Sequence, residues 1–351
     1  MTTLYADNFT DYTVNSTASL FENGWNQTTD TGTQTYSTPN IRTGINSYRA
    51  TYGTNNVRPV SSSSTTVFMS LAFYMNQMPS SGTTFLQLAS LLDAPLTNTF
   101  ATFIVYGDGE IGIINGSTNY KSTGAGVTGS AWYWFEVKLV IANTGGSIQV
   151  RNANGTTVLN TTGIDSQPGA TTNVGAIRIG ATTVSQISIT AQITDLHVWD
   201  GAGSICNDFT GPTQIDNLYP NGAGASTQWT PSTGANWQCV DEVPASKTDF
   251  VSTAGENNTF ADLYEFTNLS ATPANIYSVV ATTFCNKTNA GPGQLKLSAR
   301  TGSTTSSGSA QALPANGSNR LSQVFEVDPT TSAAWTASGV NGAQFGFEVS
   351  S

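Results

Sequence analysis

Charge is what this chain of 351 residues has least of. Only 10% of its residues are Asp, Glu, Lys or Arg, against roughly 25% in ordinary soluble domains. The 12 basic residues are scattered among 22 acidic ones, which leaves a formal charge of −10. Neutralising phosphate takes clustered Lys and Arg, so neither nucleic acid nor an anionic membrane is expected as a partner. No apolar run is long enough to span a bilayer. The opening "MTTLYADNFTDY" has no basic region and no apolar region, so no secretory signal is expected. Histidine occurs once, as His197, and cysteine three times, as Cys206, Cys239 and Cys285. Without CxxC or Cys/His spacing there is no zinc motif, and three cysteines allow one disulfide within the chain at most. Their simplest use is as small buried thiols. P-loop, dinucleotide and Gly-x-Ser-x-Gly signatures are missing too.

What is present is apolar and hydroxyl-rich. Hydrophobic residues make up 38% and aromatics 10%, enough for packed cores and unlike a disordered chain. Thr, Ser and Asn replace charge, and Thr suits the exposed face of a strand.

Strand periodicity dominates. In "TTVFMSLAFYM", Val67, Met69, Leu71, Phe73 and Met75 fall on one face. "FATFIVYGDGEIGII" reads as a hairpin turning at "GDGE", and "SIQVRNANGTTVLN" as a second turning at "NANG". "TFLQLASLLDAP" fits a turn or two of helix or a strand ending in a loop. Turn signals every ten residues or so favour an all-β sandwich. The texture changes near Asp200, becoming rich in Gly, Pro and Asn, and strands resume after Val243. Two all-β domains are therefore expected, 1–203 and 204–351. Limited proteolysis should cut near 200–210, if anywhere. Trp229 and Trp237 sit among turn formers and are expected to pack as a lid on the second domain or a seam between the two.

The strongest strand is "WYWFEVKLVIA". Tyr133, Phe135, Val137, Leu139 and Ile141 form its core face, while Trp132, Trp134, Glu136 and Lys138 form the other. Two tryptophans beside charges are either covered by a loop or form a stacking platform for a sugar ring. Trp132 and Trp134 are thus the candidate carbohydrate-binding residues. Asp195 and His197 would share a strand face, but no serine elbow accompanies them, so His197 reads as an ordinary strand residue. The carboxylates of Asp108 and Glu110 lie in a hairpin turn, and those of Asp241 and Glu242 alternate. Neither pair has the spacing of a glycosidase. No cofactor is expected. A calcium site built from loop carboxylates such as Asp7, Asp195 and Asp200 stays open.

The run from Trp132 to Lys138, the turn at Asn154 and Gly155, and the strand Asp195–Val198 together resemble the concanavalin A-like lectin/laminin-G jelly roll found in many phage structural proteins. "DFTGPTQIDNLYPNGAGASTQWTPSTGANWQCVDE" and the segments after it resemble the C-terminal half of the same proteins. The resemblance implies two β-sandwich domains of jelly-roll type, the first concanavalin A-like. It also implies a non-enzymatic virion structural protein, assembled in the host cytoplasm. Such a protein is displayed as capsid decoration (cement) or as a tail or fibre component. Its partners would be the major capsid or tail proteins and further copies of itself, a trimer being favoured. The alternative is a carbohydrate-binding adhesin that recognises host surface glycans.

Overall fold

The computed structural model describes all residues except 1–2, 13–19, 21, 30–34, 37–46, 51–52, 54, 181–188, 254–259, 289–291, 314–318 and 351. Contacts divide the chain into two compact units, Met1–Ile215 and Asp216–Ser351. Every strand pairing is antiparallel. The all-β class read from the sequence is the class observed.

The first unit runs β1 (Thr3–Asp7), β2 (Asn26–Thr29), β3 (Thr35–Tyr36), β4 (Tyr48–Ala50), β5 (Asn55–Pro59), β6 (Thr66–Met75), β7 (Phe85–Leu92) and β8 (Thr99–Tyr106). It continues with β9 (Ile111–Asn115), β10 (Thr118–Lys121), β11 (Trp132–Val140), β12 (Gly146–Asn152), β13 (Thr157–Ile164), β14 (Ala176–Ile179) and β15 (Ala191–Asp200). One sheet has the order β13-β12-β11-β6-β15-β4-β3, with β1 also paired to β15. The other has the order β10-β9-β8-β7-β14-β5-β2. Alternation drives this layering. Val67, Met69, Leu71 and Phe73 of β6 meet Phe103 and Val105 of β8, and Ile177 and Ile179 of β14, in one core between the sheets. The ambiguous stretch 85–92 is strand, because Leu86, Leu88 and Leu91 feed the same core. Both hairpins form as expected, and Gly109 and Gly155 take the positive φ their turns require, 86° and 75°.

The second unit contains β16 (Pro220–Thr227), β17 (Thr230–Pro231), β18 (Val251–Ser252), β19 (Ala261–Phe266), β20 (Val279–Cys285), β21 (Gln294–Thr301), β22 (Thr304–Ser307), β23 (Gln311–Ala312), β24 (Asn319–Phe325) and β25 (Gln344–Ser350). A sheet ordered β16-β19-β25-β21-β22 packs against the β20–β24 pair, forming a smaller sandwich. A five-residue helix, α1 (Ala337–Asn341), is capped by the Thr336 hydroxyl accepting from the Gly339 N–H. Trp229 packs edge-on against Phe347, with centroids 4.9 Å apart, and Trp237 lies against the core around Tyr264 and Leu295. Buried Asp262 holds this loop down by accepting from the Trp229 N–H at 2.9 Å and the Asn236 amide at 2.6 Å. Both tryptophans therefore serve as a lid on the second unit. Residues 220–227, which looked irregular in sequence, form the edge strand β16.

Candidate functional site

The outer face of the first sheet carries the residues singled out from sequence. Register places them in rows across β11, β6 and β15: Trp132–Tyr74–Gln192, Trp134–Ala72–Thr194, Glu136–Ser70–His197 and Lys138–Phe68–Trp199. Directly opposed residues share a face.

Most of this face is covered by the segment 204–215, which packs as a strap on the first unit although it was expected to open the second domain. Glu136, buried, accepts from the Thr210 N–H at 2.7 Å, the Thr210 hydroxyl at 2.9 Å and the Gly211 N–H. Burial raises its pKa, and the strap's hydrogen bonds oppose that rise without overcoming it. Trp199 stacks on Phe68, with planes 4° apart, and its indole N–H donates to the Asp208 carbonyl. Phe209 meets Phe68 edge-on beneath the Arg151 guanidinium, 3.9 Å from the ring centroid. Lys138 pairs with Asp208 at 3.1 Å. The Ile215 N–H donates to Asp195, and the Ile215 carbonyl accepts from Asn8. Strap and sheet thus enclose a second aromatic layer outside the main core.

His197 lies within that layer, fully buried and stacked on Trp199 at 4.4 Å. Its Nε2 is 3.2 Å from the Thr3 hydroxyl. Burial pushes its pKa down to about 3, so the ring is neutral. Asp195 also reaches the strap that covers this face, though not by simple alternation. A bulge between Thr194 and His197 puts Asp195 at φ 49° and turns its carboxylate to the strap.

The two tryptophans part company. Trp134 is buried, at 7% exposure, and its indole N–H has no acceptor among the described residues. Trp132 stays half-exposed beside Tyr74, centroids 5.7 Å apart and planes tilted 42°. Sequence reading missed Tyr74, although the alternation of β6 puts it on the same face.

The carboxylates weighed for calcium are engaged. Asp7 accepts from the Tyr5 and Tyr12 hydroxyls and the Phe9 N–H, and Asp200 from Ser63 and the Ala202 N–H. Among the described residues no three His, Cys, Asp or Glu side chains are grouped to hold a metal ion. Asp108 pairs with Lys121, and Glu110 accepts from Ser122, Gly124 and Ala125, which makes both part of the hairpin's framework.

The class defined by this architecture is the antiparallel β-sandwich of jelly-roll type. No protein-family model and no curated protein matches the chain. Among solved structures it is similar to the alginate lyase Aly36B, at 14% identity over 55% of this chain and 95% of the lyase, with TM-score 0.41. It is also similar to a sialidase (15% identity, 56% of this chain, 18% of that one, TM-score 0.39). A third is the receptor-binding domain of a botulinum neurotoxin C/D mosaic serotype (10% identity, 56% and 47% covered, TM-score 0.38). At such identities the likeness is one of fold. Lyases among these neighbours correct the expectation of a chain without enzymatic activity. That expectation rested on the resemblance to phage structural proteins and on missing catalytic motifs, among which the missing carboxylate pair bears on glycoside hydrolysis and says nothing of elimination.

Proposed function

We propose that the chain is a phage virion protein displayed on the particle, whose first unit binds host surface glycans through Trp132 and Tyr74. The observation that carries the glycan reading is the Trp132–Tyr74 pair, left half-exposed on a face that the strap otherwise covers. Flat aromatic surface beside a polar rim suits the C–H face of a pyranose, and each ring contributes about 1 kcal/mol. Affinity at one site is then low, and many copies on one particle raise it by avidity. The virion reading is supported by the resemblance of residues 208–242 to phage structural proteins and by the hydroxyl-rich, sparsely charged composition.

Glycan-array binding of the intact chain tests the first part. Trp132→Ala should abolish the signal while the melting temperature changes little. Equal binding by the variant would refute it. Antibody labelling of purified particles tests the second. Hundreds of labels per capsid would mean decoration, a few at one vertex a tail or fibre, and none would rule out a virion protein.

A further inference from the structure

The row that holds Trp132 and Tyr74 does not stop at those two rings. Tyr74 stands opposite Gln192 of β15, and Gln192 stands opposite Arg49 of β4. On these strands Phe73, Ile193 and Tyr48 enter the core, so their neighbours Tyr74, Gln192 and Arg49 point to the outer face with Trp132. All four side chains are half-exposed. Neighbouring strands lie about 4.8 Å apart, so the row spans about 14 Å from β11 to β4, the reach of a short oligosaccharide and more than a single sugar ring fills.

The chemistry changes along the row. Trp132 and Tyr74 offer flat apolar surface at one end. The Gln192 amide oxygen accepts from the Ser47 hydroxyl at 3.0 Å, which fixes the amide and keeps its NH2 group as a donor. Arg49 supplies at the other end the fork of parallel N–H donors that matches a carboxylate. Lys138 and Arg151, on the same sheet face, are engaged by the strap, through Asp208 and Phe209. Arg49 therefore brings a positive charge to the part of the face that carries the aromatic pair. No carboxylate stands in this row from β11 to β4, so an anion seated along it meets no like charge there.

Resting on the glycan reading above, we propose that the row Trp132–Tyr74–Gln192–Arg49 is one extended site for an acidic glycan. Sugar rings stack on Trp132 and Tyr74, a sugar hydroxyl accepts from the Gln192 amide, and Arg49 holds the carboxylate of a uronate or sialic acid unit further along the glycan. The aromatic pair gives affinity for sugar rings of any charge, and Arg49 sets the preference for an acidic one.

Titration calorimetry on the full chain tests it, with a galacturonate trimer, 3′-sialyllactose and a neutral galactose trimer as probes. At least one acidic probe should bind about tenfold or more tighter than the neutral trimer. Which acidic probe binds identifies the carboxylate as a uronate's or a sialic acid's. Arg49→Met should remove that preference while the neutral trimer binds as before. Arg49→Lys, which keeps the charge and loses the fork, should lower the preference too and serves if the Met variant does not fold. Trp132→Ala should weaken acidic and neutral probes alike. Equal affinity for acidic and neutral probes, lost in Trp132→Ala, would overturn the proposal and leave the glycan reading standing. So would a full preference for the acidic probe in a folded Arg49 variant. Acidic binding untouched by Trp132→Ala would overturn the glycan reading and this proposal with it. No binding by any probe would overturn the proposal, and the glycan array decides the reading above by itself.

Discussion

At the scale of single residues, His197 and Glu136 lie in one covered row with Ser70 between them. The folded-state pKa of His197, about 3, lies below the ordinary 6.5. Protons therefore favour the unfolded chain, and stability is lost as pH falls from 6.5 towards 3. Between pH 6.5 and 5 the loss attributable to this ring should be about 2 kcal/mol. His197→Phe keeps a ring against Trp199 and cannot take the proton. Its melting temperature should fall less steeply than that of the wild type over this window, and parallel curves would show that His197 is not the titrating group. Glu136 has the reverse sign. Its pKa is raised by burial above the ordinary 4.5, so ionisation costs stability as pH rises through and beyond that value. Glu136→Gln should flatten that decline. Glu136→Ala leaves the Thr210 and Gly211 donors without their acceptor and should cost about 2 kcal/mol at any pH.

At the scale of elements, the strap decides which sequence-level expectations survive. Cutting near 200–210 was expected, yet Phe209, Glu136 and Asp195 bind 208–215 to the sheet. A protease should spare 204–215 in the wild type. Phe209→Ala should cost about 2 kcal/mol and open this segment to cleavage, which mass spectrometry of the fragments would locate. The strands β6, β8, β9, β11 and β12 were legible because one face of each lies on the core, and apolar residues recur at every second position. β16 was not legible. It is a sheet edge built from Pro, Asn, Gly, Ala, Ser and Thr, whose pairing with β19 comes from backbone rather than side chains. The bulge at Asp195 broke the alternation on which its shared face with His197 was argued. The strap and the burial of Trp134 are contacts between distant residues. No local pattern encodes them. Trp132 was legible as one half of a site whose other half, Tyr74, lies a strand away.

At the scale of the whole molecule, two cores imply two folding units, and the position of the division matters. A chain ending at Ile215 should unfold in one cooperative transition. A chain ending at residue 203 would uncover Phe68 and Trp199, and it should bind hydrophobic dye and melt lower. Equal melting of the two would show that the strap adds nothing to the first unit. Self-association of the intact chain, expected as a trimer, can be read by light scattering at micromolar concentration. A monomer there would count against it.

The way the chain leaves its first unit also sets its response to force. Ile215 is the last residue of that unit, and it is held on both sides, its N–H by Asp195 and its carbonyl by Asn8. Tension arriving from Asp216 reaches these two bonds first, then Thr210 on Glu136, then Phe209 on Phe68. They load one after another, as a zip does, and not together like the ladder between β6 and β11. A molecule stretched between its two units should therefore lengthen in a small early step at low force while the sandwich stays whole. The strap would act as an extensible tether, absorbing a tug before the folded sheets bear any load.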